Sequence, residues 1–194
     1  MNNTVGSLTQ LQKSIIQGSA LGDGYIRQMP GRKDAFLEIN HSIKAKEYVD
    51  WKFSNLKNLC LSSPKERIID ERRIAYRFFT CQHSEITEIY EKFYENKKKR
   101  FPKNFELDPI SLAVWFMDDG SRTKKGDFYL NSQQFSINDQ KKMLHALRVI
   151  GIRARLNKDK KYHRIRIYKE SIPKLIDIIK PWIVPSMKYK IVEL

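Results

Sequence analysis

The chain has 194 residues, 41% of them apolar, with 37 Lys and Arg against 22 Asp and Glu and a formal charge of +15. That length and apolar share support real hydrophobic cores, and no apolar run is long enough to span a bilayer. The basic excess is divided between residues 1–107 (19 basic against 13 acidic) and 108–194 (18 against 9), so no basic tail accounts for it, and a polyanionic partner is implied.

The start, Met1-Asn2-Asn3-Thr4, is polar and lacks the apolar stretch of a secretory signal. Cys60 and Cys81 have no metal spacing and His41, His83, His145 and His163 are scattered, which argues against zinc and against a disulfide framework. The expectation is an intracellular protein, of a prokaryotic cytoplasm or encoded in an organelle, neither secreted nor bound to a membrane.

In chain order, Ser7 with Gln10 three positions on forms a capping-box pattern, and Leu8, Leu11 and Ile15 follow at helical spacing. This helix should end around Gly22 to Gly24. Gly18 and Gly22 lie four apart on one face, where a second helix could approach closely. Tyr25 to Gln28 and Ala35 to Asn40 flank Pro30-Gly31 as a hairpin, followed by a helix from Ala45 to Leu59. A second hairpin (Arg67 to Asp70, Arg73 to Thr80) and a helix from Ser84 to Asn96 complete the first half.

The order then repeats. Asp108 is a good N-cap and Pro109 fits the first turn of a helix running to about Asp118. A hairpin follows, Ser121 to Lys124 and Phe128 to Gln134, with Phe36–Asn40 and Tyr129–Gln133 matching at an offset of 93. A helix from Asn138 to Ile150 leads to a ribbon in which Arg153, Arg155, Arg164 and Arg166 alternate with Ile152, Ala154, Ile165 and Ile167. A last helix spans Ser171 to Lys180. The pattern is αββαββα twice, as residues 1–107 and 108–194, and it predicts an α+β pseudo-dimer.

Each half opens on an apolar helix ending in Asp-Gly. The two acids, Asp23 and Asp119, stand 96 residues apart. One Asp-Gly after a helix is usually a turn. Two at matching places in a repeat could sit together on a pseudo-twofold axis, each holding a divalent cation for one strand of a duplex. Hard carboxylate ligands without a Cys/His cluster suit Mg²⁺, which can shield a phosphate and generate hydroxide. Asp118 adds a second acid to the later motif, but only Asp119 precedes its glycine as Asp23 does. The alternating arginines suit a ribbon in a DNA major groove, with Arg27, Arg73 and Arg77 as the weaker counterpart in the first half. The polar positions Glu38, Asn40, Asn131 and Gln133 add groups able to contact base edges.

Gln17-Gly18-Ser19-Ala20-Leu21-Gly22-Asp23-Gly24 and Trp115-Phe116-Met117-Asp118-Asp119-Gly120 resemble the two motifs of single-chain, intron-encoded LAGLIDADG homing endonucleases. The resemblance extends to Asn96–Lys99 before Phe101-Pro102, to Leu130–Gln133, and to Lys180–Lys190. The first motif departs at Gln17 and Ser19 and the second at Val114 and Asp118. The resemblance implies two halves with saddle-shaped antiparallel sheets packed through the motif helices. It implies metal binding by Asp23 and Asp119 with the main-chain carbonyls of Gly22 and Asp118, and basic active-site residues at Lys99 and Lys190. It sets polar water-positioning residues near Asn40 or His41, and Gln133. The expected activity is a Mg²⁺-dependent staggered break with 3′ overhangs in a long, nearly asymmetric DNA duplex, Mn²⁺ substituting, by a monomer. The alternatives are a maturase acting on intron RNA and a DNA-binding regulator that does not cut.

Overall fold

The computed structural model describes residues 6–70 and 73–192; the polar start at Met1–Thr4 lies outside them. Helix α1 (Gln10–Leu21) begins at Thr9, whose hydroxyl accepts from Gln12 N at 3.2 Å while Gln12 Oε1 accepts from Thr9 N at 3.1 Å. The capping box is therefore Thr9/Gln12, two residues later than the Ser7/Gln10 pattern. Leu8, 5% exposed, is drawn into the core just before the cap, and its amide donates to Glu85.

Strands β1 (Tyr25–Arg27) and β2 (Phe36–Ser42), helix α2 (Lys46–Leu56), strands β3 (Lys65–Asp70) and β4 (Arg73–Phe79) and helix α3 (Ser84–Phe93) complete the first half. A two-residue turn with Asn96 and Lys97 both at positive φ (50° and 62°) joins β5 (Tyr94–Glu95) to β6 (Lys98–Lys99). The expected helix to Asn96 thus stops at Phe93, and this small ribbon carries Lys99. The second half comprises α4 (Pro109–Asp119), β7 (Gly120–Arg122), β8 (Phe128–Leu130), α5 (Ile137–Val149), β9 (Ala154–Asp159), β10 (Tyr162–Ile167) and α6 (Ile172–Ile179). Asp108 caps α4 by accepting from Ile110 N and Ser111 N at 2.9 and 3.0 Å.

The sheets repeat one topology, β1-β2-β4-β3 and β7-β8-β10-β9, antiparallel throughout. Tyr25 pairs Glu38 where Ser121 pairs Tyr129, so the inner strands match at an offset of 91, not 93. A two-residue slip keeps each side chain on its own face. The strands then part ways, since β8 ends at Leu130 while β2 continues to Ser42.

Helices α1 and α4 pack face to face at the centre. On α4 every residue from Ser111 to Met117 is buried, and α1 contributes Ile15, Ile16, Ala20 and Leu21. Gly18 makes the close approach possible: a Cβ there would lie 2.6 Å from Ser111 O and 2.7 Å from Val114 Cβ. Gly18→Ala is expected to lower the melting temperature, because overpacking costs about 1–3 kcal/mol against a helix-propensity gain of about 1 kcal/mol. An unchanged melting temperature would show that the seam yields freely.

Candidate active site at the paired helix ends

Both motif acids stand where α1 and α4 end side by side. The end of α1 is closed by Gly22 N donating to Gly18 O at 3.1 Å, and the end of α4 by Gly120 N donating to Phe116 O. Asp119 is further held by Asn131, whose amide N and side-chain Nδ2 both donate to Asp119 O, at 3.0 and 2.8 Å.

Two centres form, each drawing on both halves. Gln134 Nε2 lies 3.4 Å from both Gly22 O and Asp119 Oδ2, so the Asp119 carboxylate and the Gly22 carbonyl share one centre. Lys99 Nζ donates to Gly22 O there. His41 Nδ1 lies 3.8 Å from Asp23 Oδ2 and its Nε2 lies 3.6 Å from Asp118 Oδ1, which marks the other centre. Lys190 Nζ donates to Met117 O at 2.5 Å and stands 3.4 Å from Asp118 O. The lysines arrive by unlike routes, Lys99 on β6 and Lys190 at the end of a short 3-10 segment, Pro185–Lys190. Gln140, 1% exposed, pins the turn that carries Gln134 by donating to Ser132 O and His163 O at 2.8 and 3.1 Å.

Burial and the neighbouring Asp118 and Asp23 raise the Asp119 carboxyl to about 8, against the pull of Lys99 and Lys190. Burial and Asp118 also raise Asp23. Burial lowers Lys99 to about 8. Burial and the Lys52 ammonium lower His41 to about 4, so its imidazole is neutral. The cluster carries more acid than it can ionise unaided. A divalent cation would relieve that excess, and the carboxylate and carbonyl oxygens gathered here are donors that would suit one. Asp23, His41 and Asp118 also bring ligand atoms within 4.8 Å of one another.

Two expected polar residues fall elsewhere. Asn40 is exposed on the outer face of β2, because alternation puts it with Glu38, while His41 shares the inner face with Leu37 and Ile39. Gln133 turns to Asp159, at 3.4 Å, and its neighbour Gln134 reaches the acids. Asn131 is engaged with Asp119 rather than free for a groove.

Lys52 escaped the sequence reading altogether. It is fully buried, 3.0 and 3.2 Å from the two oxygens of the fully buried Asp118 and 4.4 Å from the Tyr48 ring centre. Burial would raise the Asp118 carboxyl, but the Lys52 ammonium beside it holds it below its usual value. A buried lysine has no local signature in sequence; its partner is 66 residues away.

The outer sheet faces carry the remaining candidates. Cross-strand register sets Arg155 opposite Arg166 and Asn157 opposite Arg164, with Ile165 and Ile167 on the inner face. Arg166 is paired with Asp127 at 2.7 Å and Arg153 with Glu170 at 3.3 Å. Arg164 lies 4.0 Å from the Tyr129 ring centre and 3.9 Å from Asp159. Arg155 has no acid partner among the described residues and lies near the Tyr168 ring. In the first half Arg27 pairs with Glu38 at 2.6 Å, Arg77 lies over the Phe79 ring, and Arg73 is exposed at the start of β4. Two clefts lie around Phe101–Asp108, and neither is lined by Asp23 or Asp119.

Twin helix ends bearing paired acids, between two sheets of matching topology, define the scaffold of a two-motif homing endonuclease. The profile of the LAGLIDADG DNA endonuclease family matches residues 13–175, and the chain belongs to that family. It is 31% identical over 98% of its length to the cytochrome b mRNA maturase bI2 of Saccharomyces cerevisiae, and spans 49% of that protein. It is 26% identical over 95% of its length to the probable intron-encoded endonuclease 1 of Wickerhamomyces canadensis, of which it covers 85%. The homing endonuclease I-WcaI, solved bound to its DNA recognition sequence, has the same fold, with a TM-score of 0.89 at 24% identity over 97% of this chain and 89% of that one. Among the described residues no helix is long and apolar enough to cross a membrane.

Proposed function

We propose that this chain is a monomeric, site-specific DNA endonuclease, its halves 1–107 and 108–194, that makes a metal-dependent staggered break with 3′ overhangs in a long, nearly asymmetric target. The observation that carries the reading is the side-by-side placing of the two motif acids at the ends of the paired helices, with a lysine from each half beside them. Two acids so placed provide one cut for each strand.

Asp23 and Asp119 hold Mg²⁺, or Mn²⁺ in its place, with the carbonyls of Asp118 and Gly22. The bound metal supplies phosphate charge neutralisation and hydroxide at neutral pH. Lys99 and Lys190 place ammonium groups where negative charge builds on the phosphate. Neutral His41 offers Nδ1 beside Asp23 to take a proton from water, and Gln134 orients water beside Asp119. His41 and Gln134 thus replace Asn40 and Gln133 in the catalytic set, which leaves Asn40 and Gln133 for groove contacts. The setting is intracellular, where intron-bearing DNA is found.

The basic ribbons read and grip the duplex. Arg155, without an acid partner among the described residues, is the arginine of the second-half ribbon most available to a base. Arg155→Ala is expected to cost about 1–3 kcal/mol and relax preference at one or two target positions. Arg153→Ala is expected to weaken all sequences alike and shrink the salt slope by about one unit. Base-preference profiles decide between reading and clamping; unchanged profiles for Arg155→Ala would assign reading to other residues.

The deciding experiment is recovery of cleaved duplexes from a randomised or insertion-site DNA library with Mg²⁺ present. Cleavage should require Mg²⁺ or Mn²⁺, while binding should persist in Ca²⁺, which satisfies oxygen ligands but supports poor hydroxide chemistry. Cleavage in excess chelator would overturn the metal assignment. The likeness to a maturase favours one second reading, assistance of intron RNA folding. RNA splicing stimulated by a chain that cuts no duplex would establish that reading in place of the first.

A further inference from the structure

Among the differences between the two centres, one lies within the motifs themselves. Gly22 and Asp118 hold matching places before Asp23 and Asp119, yet Asp118 has a side chain that crosses the axis. Among the described residues its hydrogen-bond and ion-pair partners belong to the first half: Asp23 N donates to Oδ2 at 3.1 Å, Lys52 Nζ donates to both oxygens, and His41 Nε2 stands 3.6 Å away. Gly22 leaves the room, since a Cβ on it would collide with the Asp118 carboxylate. Lys52 and Asp118 are both fully buried, so neither charge is screened by water. His41 Nε2 is buried without a hydrogen-bond partner and is aimed at the same pair. The Asp119 carboxylate has Gln134 beside it and, among the described residues, no ion pair.

We infer that Lys52 and Asp118 are a cross-half positioning pair that serves the Asp23 centre alone and makes the two strand cuts inequivalent. Asp118 acts at that centre twice, through the carbonyl it offers beside Lys190 and through the carboxylate that fixes the Asp23 amide and faces His41. Lys52 sets both by holding the carboxylate still. Loosening the pair moves the Asp23 carboxylate, the Asp118 carbonyl and His41 together. The Asp119 carboxylate has its own support from Asn131, and the Gly22 carbonyl is contacted by Lys99 and Gln134.

The inference rests on the nuclease reading for its first test and is independent of cutting in its second. Variants are Lys52→Met and the uncharged Lys52→Met/Asp118→Asn, the latter leaving no unpaired buried charge. On a duplex that the wild type cuts, labelled on each strand in turn at saturating DNA, both variants should slow tenfold or more the strand whose cut Asp23→Asn abolishes. The other strand should stay within twofold, so nicked DNA accumulates. Equal slowing of both strands by the folded double variant, or slowing of neither, overturns the inference. The second test uses Mn²⁺ alone, followed by loss of the free-ion paramagnetic signal. The double variant should weaken at least fivefold the binding class lost in Asp23→Asn and spare the class lost in Asp119→Asn; equal weakening of both, or none, overturns it. A wild type that cuts no duplex while showing this split would sink the nuclease reading and leave the pair's role standing.

Discussion

Asp23→Asn and Asp119→Asn are each expected to abolish double-strand cutting, with the affected cut slowed roughly a thousandfold or more. Each variant removes a charged metal ligand, and metal stabilisation of the transition state is worth several kcal/mol, each 1.4 kcal/mol being about tenfold in rate. Binding should survive or tighten, because a carboxylate facing phosphate repels it. The check is plasmid linearisation with Mg²⁺ alongside a binding titration in Ca²⁺. Wild-type linearisation by either variant removes that residue from the metal site, and lost binding would make it an anchor instead.

The second large effect falls on stability. Lys52→Met strands the Asp118 carboxylate in a dry interior, which costs about 3–5 kcal/mol when one partner of a buried pair is removed. For a chain of this size each kcal/mol is worth about 2–4 °C, so melting should fall by roughly 10 °C. Neutralising both partners in Lys52→Met/Asp118→Asn should recover most of the loss, since a buried pair is often replaceable by uncharged groups at little net cost. Thermal melts of the two variants test this. A double variant as unstable as the single one would mean that the lysine stem, not its charge, is what the core requires.

Local signals made much of the fold legible. The cap at Asp108 with Pro109, the apolar helix ends, and the alternation of arginine with isoleucine each declare themselves within a few residues. Gly18 was readable as a contact from its spacing with Gly22, which sets both glycines on one face of the helix. His41 was also within reach: alternation from Leu37 and Ile39 sets it inward, whereas Asn40 follows Glu38 outward. Gln134 was not, because β8 ends at Leu130 and strand parity no longer decides between adjacent glutamines. The cap at Thr9 competed with an overlapping Ser7 frame, and burial of Leu8 decided it. Lys52 lay beyond local reasoning, since only the tertiary fold brings α2 beneath the end of α4.

The crossing of Asp118 into the first half also restricts how these halves can be recombined. Two copies of 108–194 set face to face would bring two carboxylates to one spot, with no glycine to receive them and no amine to neutralise them. A symmetric homodimer of the second half is therefore disfavoured by its own motif, whereas a chimera tolerates it only if the donated first half brings glycine at the place of Gly22 and a buried base at the place of Lys52. Chain fusion has here become a commitment: each half has acquired a feature that only the other can accommodate.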